Sequence, residues 1–283
     1  MKKLVGIIGY PISHSVSPAM HNAAFKILGL DWEYLPFEVK PEDLEKKVAE
    51  LREKGLIGFN VTIPHKEAII PLLDEVTKLP KIIGAVNTVK NEGGKLVGYN
   101  TDGAGFIESL KTDASFKAAG KKAVMLGAGG AAKAVAVMLA SEGIKELVIT
   151  DIDLEKAEAL TDYVGSYFDV SVMCAKQKSD ELKRALKEAD LIINATPIGM
   201  HPKEDKCPID EKTEIGKQTT VFDLVYNPPE TKLMKLAKEK GARAFNGLGM
   251  LVRQGAIAFT IWTQKPAPVD VMWKAAKETL GIK

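Results

Sequence analysis

The sequence predicts an α/β fold in two domains, one of them a doubly wound parallel sheet. Three observations carry that prediction. Apolar runs of strand length alternate with helical-period stretches along most of the 283 residues. A glycine turn joins a strand to a helix at Gly127–Gly129, and the helix leads to a second strand that ends on an acid. The length suits about two ordinary domains.

The first part alternates strand and helix. Lys3 to Gly9 reads as a strand. Ser17-Pro18 reads as N-cap and first residue of a helix through Met20, Ala24 and Ile27 to Gly29. Trp32 to Val39 is a second strand, and Pro41 opens a charged helix with Leu44, Val48 and Leu51 inward, ending at Gly55. Ile57 to Ile63 is a third strand, with Lys66 to Leu73 expected as a helix despite Pro71. A hairpin follows, Ala85 to Lys90 and Lys95 to Tyr99 about a turn at Asn91-Glu92-Gly93-Gly94. A helix with Phe106, Ile107 and Leu110 inward leads away.

The next stretch, Lys121 to Asp151, reads KKAVMLGAGGAAKAVAVMLASEGIKELVITD. Ala123–Leu126 is short enough for one buried strand, and Ala128, Ala131, Val135 and Leu139 share a helix face. Gly127 permits a sharp turn, Gly129 leaves room for a pyrophosphate, and Ala132 keeps the helix close to the sheet. The helix N-terminus offers free N–H groups to phosphate. Asp151 follows the second strand, Leu147–Ile149, roughly 20 residues on, as in dinucleotide-binding units. A helix from Asp153, a strand at Asp169 to Met173, a helix from Ser179 to Ala189, strands at Leu191 to Ala195 and Val221 to Leu224, and a helix from Glu230 to Lys240 complete a Rossmann domain over 104–244. The tail from Asn246 is helical, with Trp262 and Trp273 as packing residues. Residues 245–283 are expected to complete the first domain, 1–103, leaving a cleft between domains for a ligand.

Composition excludes several classes. The formal net charge is +2, with lysines scattered among acids, so neither nucleic acid nor an anionic membrane is indicated as a partner. The apolar run near the N-terminus stops at Tyr10-Pro11 without a small-residue cleavage site, and no stretch reaches the roughly 18 apolar residues of a membrane span. Cys174 and Cys207 form neither a disulfide framework nor a metal-ligand spacing. A cytoplasmic protein with no metal is expected, as monomer or homodimer.

Polar clusters stand where strands end or helices begin. Ser15 and Ser17 alternate in Pro11–Pro18, although Ser17 also suits an N-cap. Strand alternation puts Asn60 and Thr62 on one face, opposite Phe59, Val61 and Ile63, with His65 and Lys66 just beyond. A lone lysine there is ordinarily a solvated residue, and His65 a packing one. Asn87 lies in Gly84–Thr88, and Asp102, placed to cap the following helix, in Gly98–Gly103. Asn246–Met250 is followed a turn later by Gln254.

Taken together, PISHSVSP, NVTIPHK, GAVNT, NTDG, GAGGAAK, NATPIGM and NGLGM resemble, in order and over essentially the whole chain, the shikimate dehydrogenase family, which includes quinate/shikimate dehydrogenases. The resemblance implies a two-domain enzyme that reversibly reduces 3-dehydroshikimate to shikimate with a nicotinamide cofactor, in aromatic amino-acid biosynthesis. It makes Lys66 and Asp102 the catalytic pair, and assigns substrate contacts to Ser15, Ser17, Asn60, Thr62, Asn87, Tyr226 and Gln254. It assigns cofactor contacts to Gly127, Ala128, Gly129, Gly130, Ala131, Asp151, Thr196, Met200, Gly247 and Met250. Alcohol oxidation needs a hydride acceptor and a group that takes the hydroxyl proton; Lys66 can act as that acid or base, with Asp102 orienting it or sharing the proton.

One stretch departs from the family pattern. Many members carry Asn-Arg-Thr after the second nucleotide strand, the arginine meeting the 2′-phosphate of NADP. Here Asp151, Ile152 and Asp153 stand there, with Lys156 beyond. Asp151 can accept from ribose hydroxyls and repels a 2′-phosphate, so NAD is expected as the preferred cofactor over NADP. Shikimate is favoured as substrate, because both serines of the Ser15/Ser17 pair are present, with quinate as an alternative or co-substrate. A nucleotide-binding sensor without chemistry would need neither Lys66 nor Asp102.

Overall fold

The computed structural model describes residues 2–282, and the chain divides into two compact units, 1–105 with 251–283, and 106–250. The first unit opens with β1 (Lys3–Gly9), α1 (Ser17–Ile27), β2 (Trp32–Glu38), α2 (Leu44–Glu53) and β3 (Gly58–Val61). It continues through β4 (Glu75–Val76), α3 (Lys78–Ile83), β5 (Thr88–Glu92) and β6 (Lys95–Tyr99) to the first residues of α4 (Asp102–Thr112), which runs on into the second unit. Its six strands lie in the order β2-β1-β3-β5-β6-β4. The β5–β6 hairpin enters this sheet antiparallel to β3, and the remaining pairs are parallel.

Several local expectations change here. Ser17 is the first residue of α1 rather than its cap; Val16 holds the cap position without a side-chain bond. The α2 helix begins at Leu44 after a 3-10 turn at Pro41–Asp43, and buries Leu44, Val48 and Leu51 as the spacing requires. Such burial contributes about 1.5–3 kcal/mol per side chain. Strand β3 stops at Val61, so Thr62 leaves the alternation and Ile63 is exposed rather than inward. Residues 66–73 form turns and a 3-10 segment at Ile70–Leu72, not an α-helix, because Pro71 lacks the donor that a helix needs. The hairpin starts at Thr88, and its turn tightens to Gly93-Gly94, with Asn91 Oδ1 accepting from the Gly94 amide at 2.7 Å. Strand β4 and helix α3 were not expected; both are too short for a periodic pattern.

The second unit holds β7 (Lys122–Leu126), α5 (Gly130–Ser141), β8 (Glu146–Thr150), α6 (Leu154–Tyr167), β9 (Ser171–Cys174) and α7 (Asp180–Glu188). Then follow β10 (Leu191–Asn194), β11 (Thr220–Asp223), α8 (Lys232–Glu239) and β12 (Arg243–Phe245). The strand order is β12-β11-β10-β7-β8-β9, every pair parallel. That is the doubly wound order in which the strand order reverses at β7 and β10. Two apolar clusters cover the two faces, one around Val135, Leu147 and Phe222, the other around Val124, Ile192 and Leu233. Helix α5 is buried nearly all round rather than on one stripe; Ala132, Val135 and Leu139 are inside, and Ala131 is only half-buried. Ser179 and Thr231 cap α7 and α8 through their hydroxyls, and Asp153 caps α6.

The unit extends to Met250 rather than 244, because β12 pairs with β11, the Gly247 Cα lies against the Leu224 backbone, and Met250 joins the core. The tail is α9 (Leu248–Thr263) and α10 (Val269–Thr279). In the first unit α10 packs on α1, and Trp262 of α9 donates its indole N–H to the Val89 carbonyl at 2.9 Å. Among the described residues no helix is long and apolar enough to cross a membrane.

Candidate active site

Within the first unit the ends of β3, β5 and β6 bring one polar cluster together. Lys66 Nζ lies 2.7 Å from Asp102 Oδ2, and both side chains are largely shielded from solvent. Asn87 donates its amide to Asp102 Oδ1 at 2.9 Å, so each carboxylate oxygen has its own donor. Asp102 does not cap α4. Asn100 does, accepting from the Asp102 amide through Oδ1 at 3.1 Å, which leaves the Asp102 carboxylate to Lys66 and Asn87. His65, buried, holds the turn beside Lys66 through a ring nitrogen 2.7 Å from the Val39 carbonyl.

Around Asn87 the bonds are dense. Thr101 donates its amide to Asn87 Oδ1 at 2.7 Å, and Thr88 donates its hydroxyl to the same oxygen at 3.2 Å. Gln254 Oε1 lies 3.4 Å from both Asn87 Nδ2 and Thr101 Oγ1. It arrives there because Gly105 has no side chain; a Cβ at 105 would stand 2.7 Å from the Gln254 backbone nitrogen. Asn60 donates to the Asn87 carbonyl at 3.1 Å and to Thr88 Oγ1 at 3.0 Å, while its own Oδ1 accepts from the Tyr34 hydroxyl at 2.7 Å. Ser17 is buried, and its amide donates to Ser15 Oγ at 3.3 Å. Thr62 is half-buried beside the cluster's strand end. Tyr34, Thr88 and Thr101 escaped the sequence reading. Thr88 and Thr101 stand inside the motifs already noted, whereas Tyr34 reads as an ordinary aromatic strand residue.

In the second unit the glycine turn has the geometry a dinucleotide needs. Gly127 has φ +108°, in the left-handed region, and a Cβ there would press on Ala195 and Thr196 at 3.0 Å. Gly129 faces open space at the head of α5, where backbone N–H groups lack helical partners. Asp151 accepts the Ala128 amide on Oδ2 at 2.7 Å and the Asp153 amide on Oδ1 at 2.9 Å. A carboxylate has about four lone-pair sites, so two remain for ribose hydroxyls. Ile152, where an arginine would meet a 2′-phosphate, is exposed. Lys156 pairs with Asp153 at 3.1 Å.

The other predicted cofactor residues also lie in this unit. Thr196 folds its hydroxyl onto Asn194 Oδ1 at 2.6 Å, Met200 is exposed, and Met250 is buried in the core. Asp223 ties the loop that carries Tyr226. It accepts from Asn194 at 2.9 Å, the Val225 amide at 3.0 Å and Thr231 at 2.6 Å, while burial raises its carboxyl to about 6. Tyr226 is half-buried, and burial pushes its hydroxyl above the usual phenol range. The residues present therefore fit a dinucleotide.

A dinucleotide-type parallel sheet with its glycine turn, in a chain that also carries a shielded lysine–carboxylate pair, defines a nucleotide-dependent oxidoreductase architecture. The family models that match are the shikimate dehydrogenase substrate binding domain over residues 7–89, shikimate / quinate 5-dehydrogenase over 109–229, and the shikimate 5′-dehydrogenase C-terminal domain over 247–277. A shikimate dehydrogenase (NADP(+)) of Methanopyrus kandleri is 48% identical over 277 residues, covering 98% of this chain and 96% of that protein. A crystal structure of a shikimate dehydrogenase in complex with NADP+ superposes with a TM-score of 0.91 at 43% identity, covering 99% of this chain and 96% of the other. The shikimate 5-dehydrogenase of Listeria monocytogenes, in complex with shikimate and NAD, does so at 0.90 and 38%, covering 96% of each chain. The chain belongs to the shikimate dehydrogenase family.

Proposed function

We propose that the protein reversibly reduces 3-dehydroshikimate to shikimate with a nicotinamide cofactor. The observation that carries the reading is the Lys66–Asp102 pair, with its carboxylate held from the other side by Asn87. The bound nicotinamide supplies the hydride. Lys66 Nζ has three donors, one of them engaged by Asp102, so it can give a proton to the forming alkoxide and take it back in oxidation. Asp102, held by Asn87 on its other oxygen, aims the lysine. Ser15, Ser17, Asn60, Thr62, Asn87 and Gln254 hold the carboxylate and hydroxyls of the substrate, a polyol acid that needs many hydrogen bonds. Tyr226, in the second unit, is assigned to the substrate as well. The glycine turn Gly127–Ala131, Asp151, Thr196, Met200, Gly247 and Met250 hold the cofactor.

Between the two cofactors, the residues of this chain favour NAD. Asp151 is a carboxylate with acceptor sites free for ribose, and Ile152 offers no charge to a 2′-phosphate. Relatives of known name are called NADP(+) enzymes, which makes the contrast worth measuring. Initial rates of shikimate oxidation with each cofactor test both parts. Turnover of shikimate supports the reaction, and a kcat/KM higher with NADP than with NAD overturns the cofactor assignment. Quinate, run beside shikimate, tests the substrate; we propose shikimate as the better of the two. A cytoplasmic location is proposed with the activity, in keeping with two free cysteines.

A further inference from the structure

Behind the polar cluster of the first unit stands a pair of buried rings that no step above uses. Tyr34 is 1% exposed on β2 and His21 is fully buried on α1. Their rings stack with centroids 4.5 Å apart and planes parallel. Phe259 and Trp262 of α9 close around the histidine at 6.3 and 5.4 Å. Among the described residues neither nitrogen of His21 has a hydrogen-bond partner, and burial lowers its pKa to about 3, so it stays neutral.

The tyrosine hydroxyl does the opposite. It donates to Asn60 Oδ1 at 2.7 Å. Burial keeps the phenol protonated, since it raises the pKa well above the usual value. Asn60 has its orientation decided. The Asn87 carbonyl can only accept, so the Asn60 amide nitrogen faces it and Thr88 Oγ1, at 3.1 and 3.0 Å, and the oxygen end is bound by the Tyr34 hydroxyl. Reversing the amide would leave its oxygen toward the Asn87 carbonyl, acceptor against acceptor, so that carbonyl selects the orientation and the Tyr34 hydroxyl holds the oxygen end in place. One hydroxyl thus holds Asn60, a group assigned to the substrate.

We propose that Tyr34, held against the face of His21, is a positioning residue that fixes the amide of Asn60 for substrate binding. The inference rests on the proposed shikimate reaction. The variant that isolates it is Tyr34→Phe, which keeps the ring and its stack and removes only the hydroxyl. KM for shikimate rises about tenfold, the usual loss for one well-made hydrogen bond, while kcat and the cofactor KM stay within about twofold. In a double-mutant cycle with Asn60→Ala, the Tyr34→Phe effect on KM shrinks to near nothing, because the group it positions is gone.

A merely structural role lowers the melting temperature without moving KM, and that outcome overturns the proposal, as does full additivity in the cycle. Should Tyr34→Phe fail to fold, His21→Leu carries the test. It removes the stacking face at similar volume and raises the shikimate KM, and a folded His21→Leu protein with wild-type KM overturns the proposal. Wild-type protein inert toward shikimate overturns the reaction instead, and is seen before any variant is made.

Discussion

Asp102→Asn is the sharpest perturbation of the proposed chemistry, because it changes one atom and almost no volume. In the wild type, Lys66 Nζ addresses Oδ2 at 2.7 Å and Asn87 Nδ2 addresses Oδ1 at 2.9 Å. An asparagine has one acceptor. Whichever way it turns, its NH2 meets either the lysine or the Asn87 amide, donor against donor, in a place where the side chain is only 9% exposed. An unsatisfied buried donor costs about 1–3 kcal/mol, towards the upper end when it is charged. If Lys66 turns away to relieve the conflict, the proton donor leaves the reacting oxygen, and kcat falls by about 10²–10⁴. KM for shikimate moves much less, since Ser15, Ser17 and Thr62 are untouched. Initial rates followed by absorbance of the reduced nicotinamide, with a thermal melt of the same sample, read both effects. A variant with a lowered melting temperature and wild-type kcat would refute the catalytic reading and leave the pair a purely structural one.

The other predictions test separate links. Lys66→Ala removes the proton donor, so kcat drops by about 10²–10⁴ in steady-state assays while the shikimate Kd, by calorimetry, changes only a few-fold. Ile152→Arg places a charged fork where the 2′-phosphate of NADP would lie, and shifts the NADP-to-NAD ratio of kcat/KM upward by about tenfold or more. Stability should depend on pH in opposite senses in the two units. His21 takes a proton at 6.5 when unfolded but only at about 3 when folded. Its contribution is therefore complete above pH 6.5 and is lost as pH falls, at up to about 1.4 kcal/mol per pH unit. Asp223 has its folded value raised from 3.8 to about 6, so its unit gains stability as pH falls through that interval and loses it as pH rises. Denaturant melts of His21→Leu and Asp223→Asn across pH 4–7 should each flatten one of these slopes.

The parallel sheet was legible because β7, β8 and β10 are short, largely apolar runs buried on both faces, and α6, α7 and α8 carry side-chain caps at their starts. The glycine turn was legible because Gly127 has a backbone conformation that other residues avoid. Short elements were not. Two residues of β4 have no period to read, and residues 66–73 look helical in composition until Pro71 takes away a donor. At the site, polar residues at strand ends stood out, and the structure brings Lys66, Asn87, Asp102 and Gln254 within one set of bonds. The division of labour between neighbours did not stand out. Asn100 and Asp102 are equally good caps on paper, and only the bonds show that Asn100 takes the helix while Asp102 takes the lysine. Tyr34 was invisible for a related reason, since a buried tyrosine on a strand looks like core until its hydroxyl is followed to Asn60.

The Trp262 bond to the Val89 carbonyl has an optical consequence. All three tryptophans of the chain, Trp32, Trp262 and Trp273, belong to the unit made of residues 1–105 and 251–283. Indole emission therefore follows the denaturation of that unit alone, while residues 106–250 report only through Tyr163, Tyr167 and Tyr226. Emission excited at the indole band, set beside circular dichroism of the whole backbone, separates the melting of the unit that carries Lys66 and Asp102 from that of the nucleotide-type sheet, with no label attached.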